Sequence, residues 1–124
     1  MTSVQAQEFA AEWIKNFSEK DVEAVLSHFA EDAQFTSPRA LVFAGKATLH
    51  SRRELADYWH AAAKSVGSIR FTLDHVINDD SAGRLTIVYL SEIDGKKVRA
   101  SEFFEFNDSL QVIRGEAMYG APIT

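Results

Sequence analysis

Glu102 and His75 are the two side chains of this 124-residue sequence best suited to move a proton. A carboxyl facing an apolar interior is desolvated, so its pKa rises above the ordinary value of about 4.3 and it can act as acid or base near neutral pH. An imidazole titrates in that range unaided. Each residue also has a plain structural reading. Glu102 could pair with Arg99, Arg114 or a backbone group, and His75 could be a satisfied core histidine. Ser37 and Arg39 suit the mouth of a cavity, where a hydroxyl and a guanidinium could hold an oxygen-rich or anionic ligand. His28, His50 and His60 have no ligand spacing with one another or with carboxylates, so neither a metal site nor a cofactor is expected.

Composition narrows the chemistry further. Without cysteine the chain has no thiol nucleophile, disulfide or thiolate metal site. A net charge of −5 and a pI near 5.3 speak against nucleic acid as a partner, which needs a basic face. The pair Arg52-Arg53 is followed within a turn by Glu54 and Asp57, as on a solvated helix face. No apolar run reaches the ~20 residues of a membrane span. The opening residues Met1-Thr2-Ser3-Val4-Gln5 lack the pattern of a signal peptide, so a cytoplasmic protein is expected. The length predicts one domain over residues 1–124, with roughly two thirds of the unfolded surface buried. Nine Phe, two Trp and three Tyr exceed what a minimal core of this size requires.

Helices dominate the N-terminal half. Phe9, Trp13 and Phe17 recur at i, i+4 and i+8, predicting an amphipathic helix over 4–17. Ser18 and Asp21 offer a cap to a second apolar stripe of Val22, Val25, Leu26 and Phe29. Ala33–Thr36 is a short β-prone stretch ending at Ser37-Pro38, and residues 39–50 read as a loop. Ser51 and Glu54 form a capping box for a third helix carrying Leu55, Tyr58 and Trp59, with Gly67 as its stop.

The second half alternates as strands do. Ile69, Phe71, Leu73, His75 and Ile77 share one face of the first. Leu85 to Ile93 and Lys96 to Phe106 flank Asp94-Gly95, a strong hairpin signal that sets Ile87 opposite Glu102, Tyr89 opposite Ala100 and Leu85 opposite Phe104. The last strand adds Ile113, Gly115, Ala117 and Tyr119 to the interior. His75 then lies beside Ile87 in the row of Glu102, and a small molecule fits between them. Helices followed by a meander of long strands make an α+β domain. The opposite face carries Val88, Leu90, Phe103 and Met118, too apolar for solvent and suited to a homodimer interface.

The run Phe29-Ala30-Glu31-Asp32-Ala33-Gln34-Phe35-Thr36-Ser37-Pro38, with Phe106-Asn107-Asp108 near the end, resembles the nuclear-transport-factor-2-like superfamily, especially its SnoaL-like and ketosteroid-isomerase-like bacterial members. The resemblance covers nearly the whole chain. It implies an α+β cone in which three N-terminal-half helices pack on a strongly curved mixed sheet around a pocket, commonly dimeric through the outer face. In the isomerases a general-base Asp precedes the Pro of the first strand, an oxyanion-hole Tyr lies in the first helix, and an oxyanion-hole acid lies four residues before the Phe ending the penultimate strand. Ser37, Trp13 and Glu102 occupy those positions here. Serine is far too weak a base to take a carbon-bound proton unaided. The resemblance therefore implies the pocket and not steroid isomerisation.

The resulting expectation is a pocket for a small hydrophobic, oxygen-bearing molecule. Trp13, Phe17, Tyr58 and Trp59 would line it from the helices. Ile87, Tyr89, Phe104, Ala117 and Tyr119 would line it from the sheet, with Ser37 and Arg39 at the mouth. In one reading Glu102 and His75 act as acid and base in a cofactor-independent isomerisation, cyclisation, dehydration or hydrolysis. In the other, a non-catalytic binding or accessory protein uses the same pocket.

Overall fold

Each helix starts where a side chain can satisfy its free N–H groups, and the computed structural model describes residues 1–123. At Thr2 a reciprocal capping box with Gln5 opens α1 (Ser3–Ser18). Asp21 caps α2 (Val22–Leu26) by accepting from the Ala24 N–H. That helix is shorter than its apolar stripe, because Phe29 already begins β1 (Phe29–Thr36), ahead of the predicted start at Ala33. Residues 39–50 are not simply a loop. They contain α3 (Pro38–Ala44) and the two-residue strand β2 (Thr48–Leu49). Ser37 caps α3, Pro38 fills its first turn, where a missing N–H costs nothing, and Gly45 ends it at φ 76°.

Ser51 caps α4 (Arg52–Ser65), accepting from the Glu54 N–H at 3.1 Å. The return bond expected from Glu54 goes one residue earlier, to the His50 N–H at 2.7 Å. Gly67 does not stop this helix, which ends at Ser65 with Val66 as its C-cap. Its smallness serves a close approach instead: a Cβ at Gly67 would stand 2.9 Å from Asp94 Oδ1. That oxygen accepts from the N–H groups of both Gly67 and Ser68.

The remaining strands are β3 (Ile69–Asp79), β4 (Arg84–Ile93), β5 (Lys96–Phe106) and β6 (Val112–Pro122). They form one open six-stranded sheet in the order β2-β1-β6-β5-β4-β3, antiparallel except for β1 beside β6. Asp94 and Gly95 both have positive φ, as a two-residue turn of the primed type demands. The β4–β5 register is the one this turn predicts, with Ile87 opposite Glu102 and Leu85 opposite Phe104.

Two irregularities change the side-chain directions expected from alternation. Pairing steps from Leu73–Tyr89 to His75–Val88, so Asp74 has no partner and the period of two is broken. Leu73 and Val76 stay on the inner face, while His75 turns outward. On β6, Phe106 pairs with Val112 and Glu105 with Arg114, which leaves Ile113 out of the interior. Such bulges bend and twist a sheet. The helices pack on the inner side of the curve, α1 against β3 and α4 against β1 and α2.

Aromatic rings fill the space between. Phe104 is fully buried and meets Phe9 at 5.1 Å and Trp13 at 5.8 Å, edge to face. Trp59 joins α4 to β1 through Phe29 and Phe35. Such pairs add about 0.5–1.5 kcal/mol each beyond area burial. Replacing Phe104 by Ala should cost about 3–5 kcal/mol in urea denaturation, since rigid ring walls cannot close on the void. Leu41→Ala, on the exposed side of α3, should stay within about 0.5 kcal/mol of the wild type.

Candidate functional site

Glu102 owes its position to the β4–β5 register, which sets it between Ile87 on β4 and Ala117 on β6, facing the helices. Its side chain is 3% exposed. Tyr89 donates its hydroxyl to Glu102 Oε1 at 3.2 Å, while Oε2 has no partner. Burial raises the carboxyl pKa to about 8, although the Tyr89 hydrogen bond pulls the other way. Burial and the neighbouring Glu102 charge push the Tyr89 phenol well above its ordinary range. At neutral pH the pair is therefore a carboxylic acid beside a phenol. Its acidic proton is free to lie on Oε2.

The cavity before Glu102 measures ≈ 70 Å³ as space open to the centre of a water molecule. Its envelope, with the mouth and open solvent included, is ≈ 700 Å³. α1 supplies one wall through Trp13, Asn16 and Phe17, on the inward stripe of the helix, and Lys20 adds to it just past the helix end. Trp13 packs on Phe17 at 4.6 Å, Tyr89 at 5.4 Å and Phe71 at 5.7 Å, and its indole Nε1 has no hydrogen-bond partner. At one rim Lys20 donates to the carbonyls of Val66 and Gly67, and the Asp21 carboxylate is spent on capping α2.

Ser37, Arg39, Tyr58 and Tyr119 border the same cavity. The Ser37 hydroxyl stands 3.3 Å from that of Tyr58 and accepts the Arg39 N–H at 3.3 Å. It is a helix cap more than a free nucleophile. Burial raises the Tyr58 pKa, with the Ser37 hydrogen bond opposing it. Tyr119 is 38% exposed, yet its phenol is also pushed up, first by desolvation and then by the Glu102 charge.

Trp13, Phe17, Ser37, Arg39, Tyr58, Trp59, Tyr89, Glu102, Ala117 and Tyr119 thus all border one cavity. Ile87 and Phe104 do not. Both are fully buried in the core behind it. His75 lies apart from them as well. The β3 bulge sets it on the outer face, half exposed and 3.5 Å from Asp74, so it shares no cavity with Glu102. Asn16 and Phe71, which do border the cavity, were legible only in part: Phe71 belonged to the inward alternation of β3, and Asn16 is the polar interruption of the Trp13–Phe17 stripe.

Glu102 and Trp13, which border the cavity, thus each hold a buried polar atom without a protein partner in an apolar, aromatic surround. No histidine borders it among the described residues. A neutral carboxyl of this kind is chemically able to give a hydrogen bond or a proton to an oxygen acceptor.

No curated protein matches the chain. Among solved structures it is similar to a SnoaL-like protein of unknown function from Burkholderia thailandensis, with 26% identity over 97% of this chain and 98% of that one and a TM-score of 0.86. Two more distant likenesses concern the fold alone. One is SalBIII, an epoxide hydrolase/cyclase-like enzyme of pyran ring formation in the polyether salinomycin (18% identity, 97% and 95% covered, TM-score 0.75). The other is TerC co-crystallised with polyporic acid (15% identity, 93% and 91% covered, TM-score 0.75). The family model of the SnoaL-like domain matches residues 10–113, from α1 into β6, and the chain belongs to that family.

Proposed function

We propose that the chain binds an apolar, oxygen-bearing small molecule, and that Glu102 in its neutral form donates a hydrogen bond to one ligand oxygen. One observation carries this reading: one carboxyl oxygen is taken by Tyr89, and the other is buried without a partner in a residue that borders the cavity. A carboxylic acid so held is a general acid for cofactor-independent isomerisation, cyclisation, dehydration or hydrolysis. The cyclase-like neighbour and the co-crystallised neighbour support a ligand pocket in this fold. A second reading, binding without catalysis, is favoured by the outward turn of His75 and the capping duty of Ser37, which leave the acid without a base. Glu102→Gln separates the two, because it keeps a donor and loses the transferable proton.

Binding of 1-tetralone, a flat ketone, can be followed by quenching of Trp13 and Trp59, both of which border the cavity. Wild-type affinity should fall about tenfold between pH 6 and pH 9, as a carboxyl titrating at about 8 turns from donor to acceptor. Glu102→Gln should bind with no such pH dependence, and Glu102→Leu should bind far more weakly. A flat wild-type profile would sink the neutral-acid reading.

The same carboxyl makes folding depend on pH. The folded chain keeps the Glu102 proton up to about pH 8, whereas the unfolded chain loses it near the ordinary carboxyl value of 4.5. Between those values the unfolded state binds fewer protons, so stability falls as pH rises, by up to about 1.4 kcal/mol per unit, and levels off above 8. Urea denaturation at pH 5 and pH 8 should show Glu102→Gln gaining on the wild type by several kcal/mol at the higher pH. Parallel behaviour of the two proteins would mean that Glu102 ionises normally.

The outer sheet face is assigned to a second copy of the chain. Val88, Leu90 and Phe103 are half-buried there, and Met118 and Ile77 are 50% and 56% exposed. Light scattering should give twice the 13.8 kDa chain mass, and Val88→Glu should restore the single mass. A wild-type monomer at every concentration tested would remove this assignment.

A further inference from the structure

Asn16 stands in the last turn of α1, and its side chain has none of the usual outlets. Such residues point to solvent or bond to a backbone carbonyl one turn back. Asn16 is only 7% exposed, its Nδ2 has no partner, and the residue borders the cavity of Glu102. An unpaired buried amide is costly, so its retention on the inner stripe of α1 calls for a partner that the chain itself lacks. Asn16 follows Trp13 by three residues, which sets the two about 4.5 Å apart along the helix axis. Three residues that border the cavity thus carry a buried polar atom with no protein partner: Glu102 Oε2, Trp13 Nε1 and Asn16 Nδ2. The walls between them are aromatic, with Trp13, Phe17, Phe71, Trp59 and Tyr89.

We infer that the pocket selects a neutral, flat ring compound with two acceptor oxygens, one received by Glu102 and Trp13 and the other by the Asn16 carboxamide. This rests on the pocket reading above and adds to it a second anchor and a ligand class. Neutrality follows from the anchors, a carboxylic acid, an indole and a carboxamide, all uncharged, and from the aromatic walls; the Lys20 ammonium, just past the end of α1, is engaged by the carbonyls of Val66 and Gly67. Flatness follows from the ring walls.

Three probes sharing one bicyclic frame test this: 4-chromanone with two acceptor oxygens, 1-tetralone with one, and tetralin with none. Fluorescence titration at pH 6.5 should rank them in that order, with chromanone about five- to tenfold tighter than tetralone, the effect of one net hydrogen bond in a buried site. In Asn16→Leu that preference should vanish while tetralone affinity changes less than about twofold. Asn16→Asp, nearly unchanged in size, guards against a variant that fails to fold, and should lose the preference too. Equal binding of chromanone and tetralone by the wild type, or a preference that survives in Asn16→Leu, overturns the two-oxygen inference and leaves the pocket reading intact. No binding of any of the three overturns both.

Discussion

A side chain on a β-strand has two directions available, and the Asp94-Gly95 turn decides between them along β4 and β5. With both residues at positive φ the hairpin closes in two residues, and every pair back to Arg84–Glu105 follows. Glu102 faces the helices for that reason alone. A slip of one position would send it to the outer face and bring Phe103 inward. The raised carboxyl pKa, the Tyr89 hydrogen bond and the unpartnered oxygen all descend from this one turn. The cost of burying a carboxyl is met by keeping it neutral, which is how buried acids avoid the penalty of an isolated charge.

The turn was legible because its chemistry is local: an aspartate and a glycine between alternating runs leave few other geometries. The starts of α2 and α4 were legible for the same reason, marked by Asp21 and Ser51. The bulge in β3 was not. Nothing in Leu73-Asp74-His75 announces a skipped partner, since the extra residue is accommodated by pairing with a strand distant in sequence. A strict period of two carries His75 inward and an actual bulge carries it outward. That single step removes the histidine from the site. The short helix α3 was hidden differently, because seven residues hold too few turns for an apolar period to emerge. Its signal lay in Ser37-Pro38 and Gly45, cap, first turn and stop, which also read as a loop.

Ser37, at the position where the resemblance to ketosteroid isomerases implies a base, has a structural duty instead. Ser37 is 1% exposed, borders the cavity and is bound to Tyr58 and to the first turn of α3. Its hydroxyl organises the chain where a carboxylate would act on a ligand. The surplus of aromatic residues is likewise divided between tasks. Phe9, Phe29 and Phe104 are core, while Trp13, Phe17 and Phe71 form a wall that is at once core and cavity lining. The same rings therefore set both stability and the shape of the space left over.

The aspartate of the β4–β5 turn also reaches across the fold. Its carboxylate takes the N–H groups of Gly67 and Ser68, and its own N–H reaches the Ser68 carbonyl. Val66 and Ile69, to either side of that segment, and Ile93, beside the turn, are all rim residues of the cavity. The rim on this side is consequently a closed mechanical loop: end of α4, start of β3 and hairpin tip, tied by three hydrogen bonds through one residue. Widening the cavity there means breaking that knot, so the residue that sets the register of Glu102 also limits how far the room around it can swell.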